Sequence, residues 1–101
     1  MNQILGVFDG VEGSLRVFEE LSFQRIRDME RKEILLYFEE MGFKMSQTTR
    51  ILVMLLSYGL IEIRRLEESP AETYYELTAA GCVVANIIQE LAMVLNRLVI
   101  P

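Results

Sequence analysis

The chain has 101 residues, enough for one domain, with 51% hydrophobic side chains and a net charge of −5. It holds one cysteine, Cys82, and no histidine. That excludes an internal disulfide, a zinc site and any chemistry built on a histidine base. No cofactor is expected, and neither an acid/base pair nor a phosphate-binding loop marks the chain as an enzyme.

The mean hydropathy of +0.26 is high for so small a domain. A chain of this size cannot bury that much apolar surface alone, so an interface with a second copy is expected. No uninterrupted apolar run approaches the roughly 20 residues that span a bilayer. The densest stretch, Val83 to Ile100, is broken by Asn86, Gln89, Glu90, Asn96 and Arg97. No basic start followed by a small-residue cleavage site is present. A cytoplasmic protein with no membrane partner is the expectation.

Charge is distributed unevenly. Residues 1–43 carry five basic and nine acidic side chains, and residues 67–101 carry Arg97 against five acids. Residues 44–66 carry Lys44, Arg50, Arg64 and Arg65 against Glu62 alone. One basic block thus lies inside an acidic chain, which keeps nucleic acid among the possible partners.

Met1 to Gly13 is apolar and dotted with glycine, and reads as a short helix or an extended arm packed on a neighbour. Ser14 to Phe23 forms the first helix, capped by Ser14, with Leu15, Val17, Phe18 and Leu21 on one face. Gln24 to Arg27 is short and reads as a minimal strand around Ile26. Asp28 caps a second helix that runs to about Met41 and stops at Gly42. Its inward residues are Ile34, Leu35, Phe38 and Met41, and its mixed charges form a solvated face.

Ser46 is the expected cap of a third helix, SQTTRILVMLLSY, which ends on Gly59. Leu60 to Ile63 then changes to a period of two, with Ile63 inward and Glu62 and Arg64 outward. Glu67 to Glu72 is the expected six-residue loop, broken by Pro70, and Thr73 to Leu77 returns as the second strand of a hairpin. Thr78 caps a last helix from about Ala79 to Val99. On it, Val84, Ile87, Leu91, Val94 and Leu98 alternate steps of three and four, the spacing of a coiled-coil seam. Val83, Ile88 and Leu95 widen that seam beyond one groove. Val84, Ile87, Ile88, Leu91, Val94, Leu95 and Leu98 are therefore the candidate dimer interface. Cys82, near the start of this helix, reads as a small core residue.

Two strings carry a resemblance. Ser46-x-x-x-Arg50-x-Leu52-x-x-Leu55-x-x-x-Gly59-Leu60-Ile61 is followed by Tyr74-Tyr75-Glu76-Leu77-Thr78-Ala79-Ala80-Gly81. Their order resembles the winged helix-turn-helix regulators of bacteria and archaea, in particular the PadR, MarR and HxlR families. Pro70, ahead of the second string, resembles HxlR most. The resemblance implies an α+β, mainly α fold, with an arm over 1–13, a winged helix-turn-helix over 14–78 and a dimerisation helix over 79–101. It implies sequence-specific binding of double-stranded DNA by a homodimeric transcriptional regulator. Gln47, Thr49 and Arg50 would meet base edges, Lys44 and Ser46 the phosphates near them, and Arg64 and Arg65 the backbone. Two features depart from the pattern. The hairpin tip is acidic, with Glu67, Glu68 and Glu72, and the third helix carries apolar Ile51, Val53, Met54 and Leu56. A winged helix that binds protein instead of DNA is the alternative.

Overall fold

The computed structural model describes residues 13–22 and 24–99. The reading of residues 1–12 as an arm lies outside them. Among the described residues, five helices and one hairpin follow in the order α1 (Ser14–Leu21), α2 (Gln24–Arg27), α3 (Arg31–Glu40), α4 (Met45–Ser57), β1 (Ile61–Leu66), β2 (Ser69–Leu77) and α5 (Ala79–Val99).

The core forms where the apolar faces of α1, α2, α3 and α4 converge. Val17, Phe18, Ile26, Ile34, Phe38, Ile51 and Leu55 are fully buried. Leu21, Leu52, Leu60, Ile61, Tyr75, Ala85 and Ile88 complete the cluster, with Leu15 and Met41 packed partly against it. Aromatic edges add to the packing: the Phe38 ring meets Tyr37 at 5.1 Å and Phe43 at 5.6 Å, both near perpendicular.

Several local expectations are corrected. Gln24–Arg27 is a short helix and not a strand, and it delivers Ile26 to the core. Gly13, and not Ser14, holds the N-cap of α1; Ser14 is fully buried as its first helical residue. Asp28 does not cap α3. Glu30 does, in a capping box in which Glu30 accepts from the Lys32 N–H at 2.8 Å while Glu33 accepts from the Glu30 N–H. The hairpin turns at Glu67 and Glu68 alone, and β2 resumes at Ser69 with Pro70 inside it. Pro70, which has no N–H to donate, lies beside the turn, where the strand register shifts between Arg64 and Leu66. Ile63 is 44% exposed and not inward, although its cross-strand partner Tyr75 is buried.

Both expected glycine stops are present. After α4, Gly59 has φ +71; its N–H donates to Leu56 and the Leu60 N–H donates to Leu55. This pair of bonds is the Schellman pattern, and Leu60 is buried as the hydrophobic contact that goes with it. Gly42 ends α3 in the same way, with the Phe43 N–H donating to Phe38 at 2.9 Å.

Thr78 begins α5 as expected: its hydroxyl accepts from the Gly81 N–H at 3.0 Å and donates to the Gly59 carbonyl at 2.6 Å. The Thr78 N–H donates to the Leu60 carbonyl. Ile88 packs into the core of its own chain at 8% exposure, so it does not belong to an outward seam. Cys82 is exposed and not a core residue. The described span Ala79–Leu98 is also long and apolar enough to cross a bilayer by length and composition, which corrects the expectation that no stretch is.

Gly81 is buried, and a β-carbon there would collide with the Leu60 carbonyl. Gly81→Ala is expected to cost about 2–3 kcal/mol in urea unfolding, because the obstructing atom is backbone. Gly42→Ala meets open space and is expected to lose only about 1–2 kcal/mol, from its left-handed φ. Equal losses would show that α5 is not seated on Leu60.

Candidate nucleic-acid interface

The turn from α3 to α4 decides where the fourth helix begins. Gly42 reverses the chain and sends Lys44 out in an extended conformation (φ −72°, ψ 146°) as the N-cap of α4. Ser46, expected as the cap, is instead inside the first turn and exposed. The cap has no side-chain hydrogen bond. The N-terminal end of α4 thus carries its partial positive charge beside an exposed lysine, an arrangement that favours an anion.

Helical spacing divides α4 into two faces. Thr48, Ile51, Leu52 and Leu55 point into the core. Ser46, Arg50, Val53 and Ser57, at steps of four, three and four, are exposed. Thr49 is half-buried, and its hydroxyl donates to the Met45 carbonyl at 2.9 Å. Gln47 is half-buried on the flank, where it lines a shallow cleft with Gly13, Met41, Gly42 and Phe43. No acidic residue occurs between Glu40 and Glu62. In a chain with 15 acids, the outer face of α4 is thus clear of its own carboxylates.

Of the residues singled out in the sequence, Ser46 and Arg50 share this open face, Lys44 is exposed at its N-terminal end, and Gln47 and Thr49 flank it. Arg64 does not join them. Its Nη2 donates to the Arg27 carbonyl at 3.1 Å, its Nε lies 3.9 Å from Glu76, too far for a hydrogen bond, and its guanidinium lies over the Tyr74 ring. Arg65 is exposed, with Nη1 donating to the Pro70 carbonyl across the hairpin. Val53, one of the apolar residues of this helix, is 56% exposed. The same spacing that links Ser46 to Arg50 would have placed it on the open face.

The hairpin is tied to the body at its base. Arg27 pairs with Glu76 at 3.5 Å, and the Thr73 N–H donates to Glu30 at 3.4 Å. Glu30 thus fixes both the start of α3 and the second strand. Glu62, Glu67, Glu68 and Glu72 are exposed along the hairpin, so its outer surface repels phosphate.

No family model matches the sequence, and no curated protein matches it. Solved structures do. FabT of Streptococcus pneumoniae, solved in complex with DNA, superposes with a TM-score of 0.68 at 16% identity, over 88% of this chain and 59% of FabT. A mutant of MarR from E. coli, complexed with operator DNA, gives 0.64 at 18% identity, over 89% of this chain and 61% of MarR. A mutant of MepR from S. aureus, bound to an oligodeoxyribonucleotide, gives 0.64 at 16% identity, over 94% of this chain and 70% of MepR. The chain has the MarR-type winged-helix fold. It spans about three fifths of the length of the first two. Within the winged helix, α4 is the element at the recognition-helix position and the β1–β2 hairpin is the wing.

Tyr74, on the wing, donates to Glu72 at 2.6 Å. That hydrogen bond, then burial, then the negative charges of Glu72, Glu33 and Glu30 push its phenol up to about 12. The folded state therefore holds the proton more tightly than the unfolded chain. Its contribution to stability is complete below the ordinary tyrosine range near 10 and is lost as pH rises towards 12. Burial also raises the Tyr75 phenol, so spectroscopic titration should show late phenolate transitions of which the one from Tyr74 moves back towards 10 in Glu72→Gln. A Tyr74 transition unmoved by that change would remove Glu72 as its main cause.

Proposed function

We propose that this chain binds double-stranded DNA sequence-specifically as a homodimer and regulates transcription. The observation that carries the proposal is the outer face of α4: exposed, with no acid in the sequence between Glu40 and Glu62, bearing Ser46 and Arg50 with Lys44 at its N-terminal end in an otherwise acidic chain. The shared fold with FabT in complex with DNA and MarR complexed with operator DNA supports it.

The major groove is about 12 Å wide and accepts a helix. With α4 in it, the Arg50 guanidinium reaches base edges and can pair bidentately with O6 and N7 of a guanine. Lys44 and the N-terminal end of α4 meet the flanking phosphates. The wing stays outside the minor groove, since its carboxylates repel the backbone. Arg65 is its one exposed cation near that backbone.

The dimer rests on α5. Val83, Met93, Val94, Leu95 and Leu98 are exposed, and only 17% of the apolar span is buried. Asn86, Gln89, Glu90, Asn96 and Arg97 fall within one arc of the helix, which also holds the exposed Met93, opposite Val84, Ile87, Leu91, Val94 and Leu98. A helix crossing lipid alone would be apolar all round, whereas a two-faced helix fits a protein partner on one side and water on the other. A second copy is the simplest partner, and it would set two α4 helices on half-sites about one DNA turn apart. Such a protein acts in the cytoplasm.

Gel shifts with a random-sequence duplex pool at low salt test the DNA reading. Retardation at micromolar dimer is expected, and Arg50→Ala should cost about 1–3 kcal/mol per half-site. With Lys44 and Arg65 from each of two protomers on phosphate, log affinity should fall with log salt at a slope of about −4, made shallower by roughly 2 in Lys44→Ala. The acidic wing favours one other reading, a protein-binding module. Absence of retardation, with a stoichiometric protein partner unaffected by Arg50→Ala, would establish that instead.

Light scattering should give twice the 11.7 kDa of one chain. Val94→Asp combined with Leu95→Asp should give the monomer with its fold intact, because both side chains are about half exposed in the single chain. A wild-type mass of one chain at all concentrations would sink the dimer.

A further inference from the structure

Val53 is a poor choice for its position by every criterion internal to the chain. It lies mid-helix on α4 and is 56% exposed. A β-branched side chain loses rotamer freedom in a helix, and an exposed one recovers little by packing. Yet it stands in the exposed stripe that runs Ser46, Arg50, Val53, Ser57. The two serines at the ends are short and let the helix approach a surface closely. Between them the stripe offers one cation and one compact apolar group.

Thr49 adds to the apolar group. It lies one turn before Val53, and its hydroxyl is engaged with the Met45 carbonyl at 2.9 Å. Its methyl group is then the part of the side chain left for a ligand. The face therefore pairs a guanidinium with two adjacent branched methyl-bearing side chains, and no acid stands nearby in sequence.

We propose that Val53, with the Thr49 methyl beside it, reads the 5-methyl group of a thymine next to the guanine bound by Arg50. This rests on the DNA-binding reading above and names the sequence preference of that same face. In the major groove the thymine methyl is the apolar feature that distinguishes a base pair. Arg50 and Val53 are three residues apart, about 4.5 Å along the helix axis, which is roughly one base step. The recognised half-site thus contains a thymine within one or two base pairs of a guanine, on either strand. Cytosine, which lacks the methyl, is discriminated against there, and 5-methylcytosine supplies it again.

The test is selection from a random-sequence duplex pool at low salt, with wild type, Arg50→Ala and Val53→Ala in parallel. Val53→Ala removes exposed atoms and raises helix propensity, so its fold is retained, and circular dichroism checks this. Wild type is expected to enrich a motif with a guanine and a neighbouring thymine. Val53→Ala keeps the guanine and loses the thymine, and Arg50→Ala loses the guanine. In the enriched duplex, replacing that thymine by deoxyuridine should weaken wild-type binding roughly four-fold per half-site, the worth of one methyl-sized group, and leave Val53→Ala unchanged. Deoxyuridine tolerated by wild type, or resented equally by Val53→Ala, overturns the proposal while DNA binding stands. A pool from which wild type enriches nothing overturns the DNA-binding reading, and this proposal with it.

Discussion

Three elements meet at the backbone of Leu60, and the rest of the molecule is arranged by that meeting. The Leu60 N–H closes the end of α4 on Leu55, and the Leu60 carbonyl accepts from Thr78 at the start of α5. The Thr78 hydroxyl reaches the preceding carbonyl, that of Gly59. Gly81 has no β-carbon, so the first turn of α5 rests directly on Leu60. The end of α4, the root of the hairpin and the start of α5 are therefore one joint. Its geometry fixes the angle between the helix proposed to enter DNA and the helix proposed to join two chains. In a two-fold dimer that angle sets the spacing of the half-sites.

Charge placement follows a similar economy. A chain of net −5 would repel DNA from much of its surface, and α4 itself carries no carboxylate. Arg27 and Arg64, which are near enough to the hairpin to serve phosphate, are turned to Glu76, and Arg64 also reaches the Arg27 carbonyl. Exposed ion pairs of this kind add little to stability. Their effect is geometric: together with Glu30 and Thr73 they hold the wing against α2 and α3. The wing is braced as part of the scaffold, and the proposed reading of DNA falls to α4 alone.

Much of this was legible in the sequence because single residues dictate it. Gly42 and Gly59 stop their helices through left-handed φ, and Thr78 caps α5 through its hydroxyl. The pairing of Ile61 with Leu77 and Ile63 with Tyr75 follows from a period of two on either side of the acidic turn. Failures came where two local signals compete. Gln24–Arg27 is too short for periodicity to distinguish helix from strand. Asp28 and Glu30 are both plausible caps, and the reciprocal bond from Glu33 decides for Glu30. Ser46 lost the cap to Lys44 because the turn at Gly42 ends sooner than composition suggests. On the candidate face, Arg50 and Ser46 were legible from charge and spacing. Val53 was not, because an apolar residue in a helix is read as packing unless its angular position is checked.

Angular position also decides what α5 offers. Gly81, Ala85 and Ile88 form the face that is buried against the domain, and two of the three are small. Small residues let the helix lie close, as Gly81 does on Leu60. The large aliphatic residues Val94, Leu95 and Leu98 lie beyond that contact and are exposed. Cys82 belongs to neither apolar face; it falls on the polar arc with Asn86 and Gln89, which explains its exposure. The high hydropathy of the chain thus does not come from an oversized core. Part of it comes from an aliphatic face on α5 that the other described residues leave exposed, and a largely polar arc opposite that face makes a protein surface a better match for it than lipid.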